Sequence, residues 1–149
     1  MQTLGPLNVA IGAGNVFDYF DEVRKVIETA KEEIFFIDPY LDAEFVASYL
    51  GHVAQDVSIR LLAGEQKLAT LLPAVALFAK QSGAKIEVHV AANLHDRYVI
   101  VDHGSCFQSG SSFKDGAKKA PTTLTQITDA FPAVLQTYEE LWKSARVER

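Results

Sequence analysis

Cysteine is nearly absent from this sequence: Cys106 is the single one among 149 residues. One thiol excludes an internal disulfide and a cysteine-based zinc site, and it favours a reducing cytoplasm. Long apolar runs are also absent, since no stretch approaches the ~18 residues of a membrane span. Gly5, Pro6 and Asn8 interrupt the segment where a signal peptide would lie. We therefore expect a soluble, cytoplasmic protein with no transmembrane segment.

Positive charge is the scarcer sign, because 14 Lys and Arg stand against 19 Asp and Glu, a net charge of −5. A protein that holds a polyanion by bulk charge is basic as a whole, so any phosphate site here must be a local patch. Repeats, low-complexity segments and linkers are missing too. The length suits one domain with a substantial core, and we expect a single domain over residues 1–149.

Hydrophobic periodicity predicts helices and strands that alternate early, with strands clustered later. Helices are expected in "GNVFDYFDEVRKVIETAKEE", "DAEFVASYLGHVA", "EQKLATLLPAVALFAKQSG" and "DAFPAVLQTYEELWKSA". Strands are expected in "EIFFIDPY", "VSIRLLAG", "AKIEVHVA", "RYVIVD", "SCFQSG" and "TTLTQI". This order predicts an α/β fold, a three-layer α/β/α sandwich. Its mixed central sheet is parallel in the first half and has a hairpin near residues 98–109.

Two details of the helices carry expectations of their own. Pro73 falls inside the third helix, which predicts a kink or a later helix start. Tyr138, Leu141 and Trp142 in the last helix are expected to pack inward, since apolar residues at helical spacing form core stripes. A dimer surface is the alternative for them.

The segment "LHDRYVIVD", residues 94–102, carries the clearest chemistry. On an extended strand His95 and Arg97 project to the same face, because side chains alternate. A guanidinium grips phosphate oxygens in a bidentate fork, and an imidazole attacks phosphorus or moves a proton. The alternative is that both residues only begin a buried core strand.

The following loop, "GSSFKDGAKK", favours phosphate handling. It concentrates hydroxyl and ammonium groups, which bind phosphate, in an otherwise acidic chain: Ser111, Ser112, Lys114, Lys118 and Lys119. A solvated charged loop is the alternative. Asp38, at the carboxyl end of "EIFFIDPY", is expected to line the same pocket or to make a simple Asp-Pro turn.

The sequence offers weaker evidence for three other candidate sites. "IGAGN" before the first helix is a phosphate loop or, with Asn15 as N-cap, a plain helix start. His52 and His89 are expected at the solvent edge or in the core. A metal site would draw on four residues, namely His89, His95, Asp102 and His103. Their spacing matches no ligand pattern, so we expect neither a metal nor another cofactor.

The order of "EIFFIDPYLD", "HDRYVIVD", a hairpin and "GSSFKDGAKKA" resembles the phospholipase D-like superfamily. Its signature is His-x-Lys, four residues, Asp and then a Gly-Ser segment, and His95, Asp102, Gly110 and Ser111 match these positions. The chain resembles the compact single-motif members that carry His-Asp-Arg instead of His-x-Lys. The resemblance extends from the first helix to about Ile127.

In active members two such motifs meet, and one histidine forms a phosphohistidine intermediate while the other acts as acid and base. With one motif, this chain would need a homodimer, or a place in a larger protein. Arg97 replaces the lysine, and the usual asparagine is absent. The orienting glutamate is missing as well, with Gln126 the nearest candidate. Asp102 lies roughly 20 Å along the strand from His95, and we expect it to hold the Ser111–Ser112 turn.

Three functions stay open. The first is a domain that recognises a phosphate or phosphodiester group of a nucleic acid, nucleotide or phospholipid headgroup, with weakened or no catalysis. The second is a metal-independent phosphodiesterase or nuclease that works as a homodimer through His95. The third is a structural interaction domain.

Overall fold

The computed structural model describes residues 6–149. Within them the helices are α1 (Val16–Glu28), α2 (Ala43–Tyr49), α3 (Leu68–Ser82) and α4 (Phe131–Ser144), with a 3-10 turn at Leu50–His52. The strands are β1 (Asn8–Ile11), β2 (Glu33–Asp38), β3 (Ser58–Ala63), β4 (Ile86–Val90), β5 (Tyr98–Val101), β6 (Ser105–Ser109), β7 (Thr122–Ile127) and β8 (Arg146–Val147).

All eight of these strands join one mixed sheet in the order β1-β7-β6-β5-β2-β3-β4-β8. Strands β2, β3 and β4 are parallel, and every other pairing is antiparallel. Strands β5 and β6 form the predicted hairpin. The parallel half and the antiparallel half meet between β2 and β5, so the carboxyl end of β2 lies beside the start of β5.

The core has two layers, one on each face of the sheet. Alternate side chains of β2 divide between them: Ile34 and Phe36 face the layer under α1, α2 and α3, whereas Phe35 and Ile37 face α4. Because both faces are covered, β2 reads as a continuous apolar run. The predicted α/β/α sandwich is therefore confirmed.

The C-terminal helix covers its face with Tyr138 and Trp142, both buried as predicted. The ring of Trp142 packs edge-on against Phe35, with centroids 5.3 Å apart. On its other side His89 stacks in parallel at 3.4 Å and bonds through Nδ1 to the Trp142 carbonyl at 2.8 Å. His89 is thus a satisfied core residue.

Several boundaries differ from the sequence prediction. Helix α3 begins at Leu68, three residues later than the predicted segment, and Pro73 still lies inside it rather than at its start. Strands β1 and β8 were not predicted, because they are short edge strands whose residues carry little apolar periodicity. None of the helices within residues 6–149 combines the length and apolarity needed to cross a membrane.

Candidate functional site

Three polar residues lie in one row across the sheet, where β2 and β6 end and β5 begins. Ile37 pairs with Tyr98 and Tyr98 with Gln108, so the next step of the register sets Asp38, Arg97 and Ser109 side by side. The Ser109 N–H donates to the Arg97 carbonyl at 3.0 Å, which continues the ladder. Residues in register share a face, and this row faces helix α1.

Asp38 is fully buried and holds the loop that follows β6. The Ser112 hydroxyl donates to its two oxygens at 3.1 and 2.9 Å, and the Phe113 N–H donates at 2.8 Å. The Tyr40 N–H completes the set at 2.8 Å. Burial raises the pKa of the Asp38 carboxyl, while these donors and the nearby charge of Arg97 act in the opposite direction.

The Arg97 guanidinium fastens two loops at this edge. Nη1 donates to the His95 carbonyl at 3.0 Å and Nη2 donates to the Gly110 carbonyl at 2.7 Å. A guanidinium has five N–H donors, so each terminal nitrogen retains a second N–H. The Nε atom is buried and has no acceptor among the described residues.

His95 lies in the loop between β4 and β5 and is exposed. The prediction that His95 and Arg97 belong to the strand is wrong, because β5 begins only at Tyr98. Only the apolar run "YVIV" is buried on both faces of the sheet, and the polar residues before it lie in the preceding loop. The structure still places the His95 and Gly110 main chains around the same guanidinium.

A chain of hydrogen-bonded hydroxyl groups fixes the start of the 110–118 loop. The hydroxyls of Tyr19 and Ser109 are 2.7 Å apart, and the Ser109 hydroxyl donates to the Ser111 carbonyl at 2.7 Å. The Ser111 hydroxyl in turn donates to Thr122 at 3.0 Å. Tyr19 comes from α1, so this network ties the loop to a helix, and sequence reasoning missed it entirely.

The predicted phosphate ligands occupy different surroundings. The structure places Asp38 and Ser112 inside the core and bonded to each other. The sequence placed Ser112 in the pocket wall and left Asp38 either there or in an Asp-Pro turn, and its bond from the Tyr40 N–H fits the turn. Lys114 lies 3.2 Å from Asp115, and Lys118 pairs with Glu44 at 2.8 Å. Ser111 is half-buried next to Gly110. Direct contact of Ser112 with a phosphate would therefore require it to leave Asp38.

No side chain within residues 6–149 hydrogen-bonds to the His95 ring or forms an ion pair with it. Gln126, the candidate orienting group, instead accepts from the Leu7 N–H at 3.2 Å at the β1 edge. The neighbouring Asp96 carboxylate accepts from the Tyr138 hydroxyl at 3.0 Å. Among the described residues, no side chain therefore fixes the orientation or the tautomer of the His95 imidazole.

Asp102 holds a different turn from the one predicted. Its carboxylate accepts from the N–H groups of Lys31, Glu32 and Glu33, at 2.8 to 3.2 Å. These bonds hold the pKa of Asp102 below its usual value. The expected contact with the Ser111–Ser112 turn is wrong, because Asp102 lies at the opposite end of β5, and Asp38 holds that turn instead.

Of the four residues considered for a metal site, only His103 belongs to a cluster of possible ligands among the described residues. His103 lies beside Glu33 and Glu139, with Nε2 at 3.2 and 3.5 Å from their oxygens. This is the one group of three ligating side chains found among the described residues. Arg60 already binds both carboxylates at 2.7 Å and stacks on Phe35 at 4.0 Å, so a fixed cation occupies the position between them.

The "IGAGN" segment is a helix start that docks on the 110–118 loop. Asn15 occupies the N-cap position of α1 without a side-chain cap bond. The Gly14 N–H donates to the Ala117 carbonyl at 2.7 Å, and Gly14 has a φ of +85° that favours glycine. The Gly14 amide, one of those that a phosphate loop would offer, is therefore already in use.

No protein-family model and no curated protein matches the sequence. Solved structures do match. NucT from Helicobacter pylori aligns with a TM-score of 0.70 at 11% identity, over 96% of this chain and 99% of that one. Nuc from Salmonella typhimurium, a phospholipase D family member, gives 0.67 at 17% identity over 97% and 99%.

A third similar structure is TrmBL2, an archaeal chromatin protein with a novel mode of DNA binding. It aligns with a TM-score of 0.64 at 15% identity, and the match covers 99% of this chain and 57% of that one. Identities this low establish architecture only. The mixed sheet, its two helical layers and these alignments lead to one conclusion: the chain has the phospholipase D-like fold.

Proposed function

We propose that this domain recognises a phosphate or phosphodiester group at the surface formed by His95, Arg97 and the Gly110–Ser111 turn, and that it has little or no catalytic activity. The observation that carries the proposal is the position of Arg97. Its guanidinium holds the exposed His95 loop and the Gly110 loop together, and each terminal nitrogen retains an N–H.

The surroundings of Arg97 hold its guanidinium in a fixed orientation. Asp38 and Ser112 fix the loop behind it, and the Tyr19–Ser109 pair fixes its base. A guanidinium whose orientation is already set loses little conformational entropy when it binds an anion. Phosphate would lie against the remaining Nη hydrogens, with the His95 imidazole beside it as a hydrogen-bond partner.

The same geometry argues for weak catalysis. A histidine that attacks phosphorus or transfers a proton acts best when a carboxylate fixes its tautomer and stabilises its cation. Within the described residues no carboxylate reaches the His95 ring, since Asp96 bonds to Tyr138. The phospholipase D-like fold supports the alternative, a homodimeric phosphodiesterase, and the test separates the two.

Binding is measured by fluorescence polarisation with a labelled oligothymidylate, and by co-sedimentation with phosphatidylglycerol vesicles. Affinity should fall with salt between about 50 and 200 mM. Arg97→Lys, which cannot hold both carbonyls and a phosphate, should weaken binding about tenfold, and His95→Ala less than about threefold. His52→Ala is the matched control, an accessible histidine near Glu28.

Hydrolysis of bis(p-nitrophenyl) phosphate and of DNA is then measured with chelator present. Turnover that His95→Ala abolishes, together with a dimer by analytical ultracentrifugation, would replace the binding proposal with the phosphodiesterase. A wild-type protein that binds no phosphorylated ligand at low salt would refute both.

A further inference from the structure

An open pocket lies next to the proposed phosphate surface, between the first turn of α1, helix α2 and the second half of the 110–118 loop. Its volume is about 410 Å³, which is in the range of ligand pockets. Aromatic and basic side chains line it together, among them Phe17, Phe20, Tyr49, Lys114 and Lys118. None of them belongs to the surface formed by His95, Arg97 and the Gly110–Ser111 turn.

The aromatic part is a row of three rings, in which Phe17 lies at the open end, tilted by 39° to Phe20. Phe20 stacks on Tyr49 with centroids 5.5 Å apart and 28° between the ring planes. Phe17 continues the row, 6.2 Å from Phe20. Phe17 is 72% exposed, the most exposed large apolar residue described, and a planar ring has room to stack on its free face.

The basic part is available to an anion. Lys118 pairs with Glu44 and Lys114 lies beside Asp115, and both acidic partners are about half exposed. The Lys118–Glu44 pair joins two accessible side chains, and such pairs contribute little stability, so a phosphate displaces that carboxylate readily. The Lys114 side chain is otherwise largely buried, which directs its ammonium group to the pocket edge.

One rigid loop connects the pocket to the phosphate surface. The loop leaves the Arg97-held Gly110 and passes Phe113, which Asp38 holds. It then packs on Tyr19 so closely that a Cβ at Gly116 would lie 2.1 Å from the ring. Tyr19 itself lines the pocket and bonds to Ser109, so the two surfaces share a wall.

We propose that this pocket holds an unpaired nucleobase, stacked on Phe17, of a nucleic-acid strand whose phosphates contact Lys114, Lys118 and the Arg97 surface. The proposal rests on the proposed function and names its substrate class as single-stranded nucleic acid. A stacked base must be unpaired, and alternating phosphates and bases match an alternation of cationic and aromatic groups. An acyl chain needs an enclosing aliphatic channel, which this mixed aromatic and charged lining does not provide.

The test compares three probes in fluorescence polarisation: an oligothymidylate of about twelve nucleotides, the same strand with abasic positions, and a duplex of equal length. Wild type should prefer the oligothymidylate. Phe17→Ala should weaken that complex about tenfold and leave abasic binding within about twofold. Phe17→Trp should restore affinity, since it keeps a stacking face. Leu77→Ala is the matched control, an equally exposed apolar residue on α3 outside the pocket.

The outcomes separate this inference from the function on which it rests. If wild type binds the oligothymidylate and Phe17→Ala binds it equally well, the base pocket is refuted and phosphate recognition stands. Equal wild-type affinity for the abasic strand would likewise refute the base pocket alone. A Phe17→Ala defect confined to phosphatidylglycerol vesicles would refute the nucleobase in favour of a lipid. A wild type that binds no phosphate ligand refutes both proposals.

Discussion

Removal of the Asp38 carboxylate tests whether this buried group organises the site. Asp38→Ala deprives the Ser112 hydroxyl and the Phe113 N–H of their acceptor, and both residues are buried. Each buried donor left without a partner costs about 1–3 kcal/mol. The Tyr40 N–H is more accessible and turns to water at lower cost.

The gross loss is therefore about 4 kcal/mol, from two buried donors at the middle of that range. The Asp38 carboxylate is itself costly to bury, as its raised pKa shows. Its removal therefore offsets part of this loss. We expect Asp38→Ala to lower the free energy of unfolding by about 2–4 kcal/mol. Asp38→Asn keeps one acceptor oxygen and should lose about half as much.

Urea denaturation followed by tryptophan fluorescence measures this directly, because the single Trp142 is buried against Phe35 and His89. The slope of the transition should stay unchanged, as the unfolded chain exposes the same surface. Ser112→Ala is the partner for a double-mutant cycle, and a coupling energy above about 1 kcal/mol is expected. An Asp38→Ala protein within about 0.5 kcal/mol of wild type would refute the role assigned to Asp38.

The remaining predictions concern Asp102 and Cys106. The pKa of Asp102 is lowered on folding, so its contribution is present above the unfolded-state pKa near 3.8 and is lost as pH falls through the folded-state value. The stability difference between wild type and Asp102→Asn should therefore shrink on acidification in urea titrations, and a difference that grows would contradict the assignment. Burial raises the pKa of the Cys106 thiol to about 12. Native protein should consequently resist a thiol-specific reagent at neutral pH and react fully in urea; rapid native labelling would show that the β5–β6 core is open.

The wrong prediction for Asp102 has a physical origin that a comparison with Asp38 shows. Both Asp38 and Asp102 end an apolar strand, and their local sequence surroundings are alike. Which turn each carboxylate caps depends on the direction of its strand. Strands β2 and β5 are antiparallel neighbours, and each aspartate lies at the carboxyl end of its strand. Asp38 and Asp102 therefore lie at opposite ends of this strand pair. Asp38 reaches the loop after β6, and Asp102 reaches the loop before β2.

His95 illustrates a second limit of local pattern. The spacing of His95 and Arg97 predicted that both lie on a strand, but the apolar residues determine which part of the segment pairs in the sheet, and the pairing of β5 begins at Tyr98. Tyr19 could not be recognised at all. It is one apolar position of an amphipathic helix, and its hydroxyl gains a role only because α1 crosses the end of β6.

The sequence by itself determined the alternation of elements, the doubly covered strand "EIFFID", the β5–β6 hairpin and the inward face of α4. These follow from hydrophobic periodicity and turn residues, which act over a few positions. Only the tertiary structure decided that Asp38, Arg97 and Ser109 stand in one row, and that a pocket with an exposed Phe17 lies beside it. Strand register and helix docking join residues far apart in the chain, and their free energies belong to the assembled core rather than to any segment.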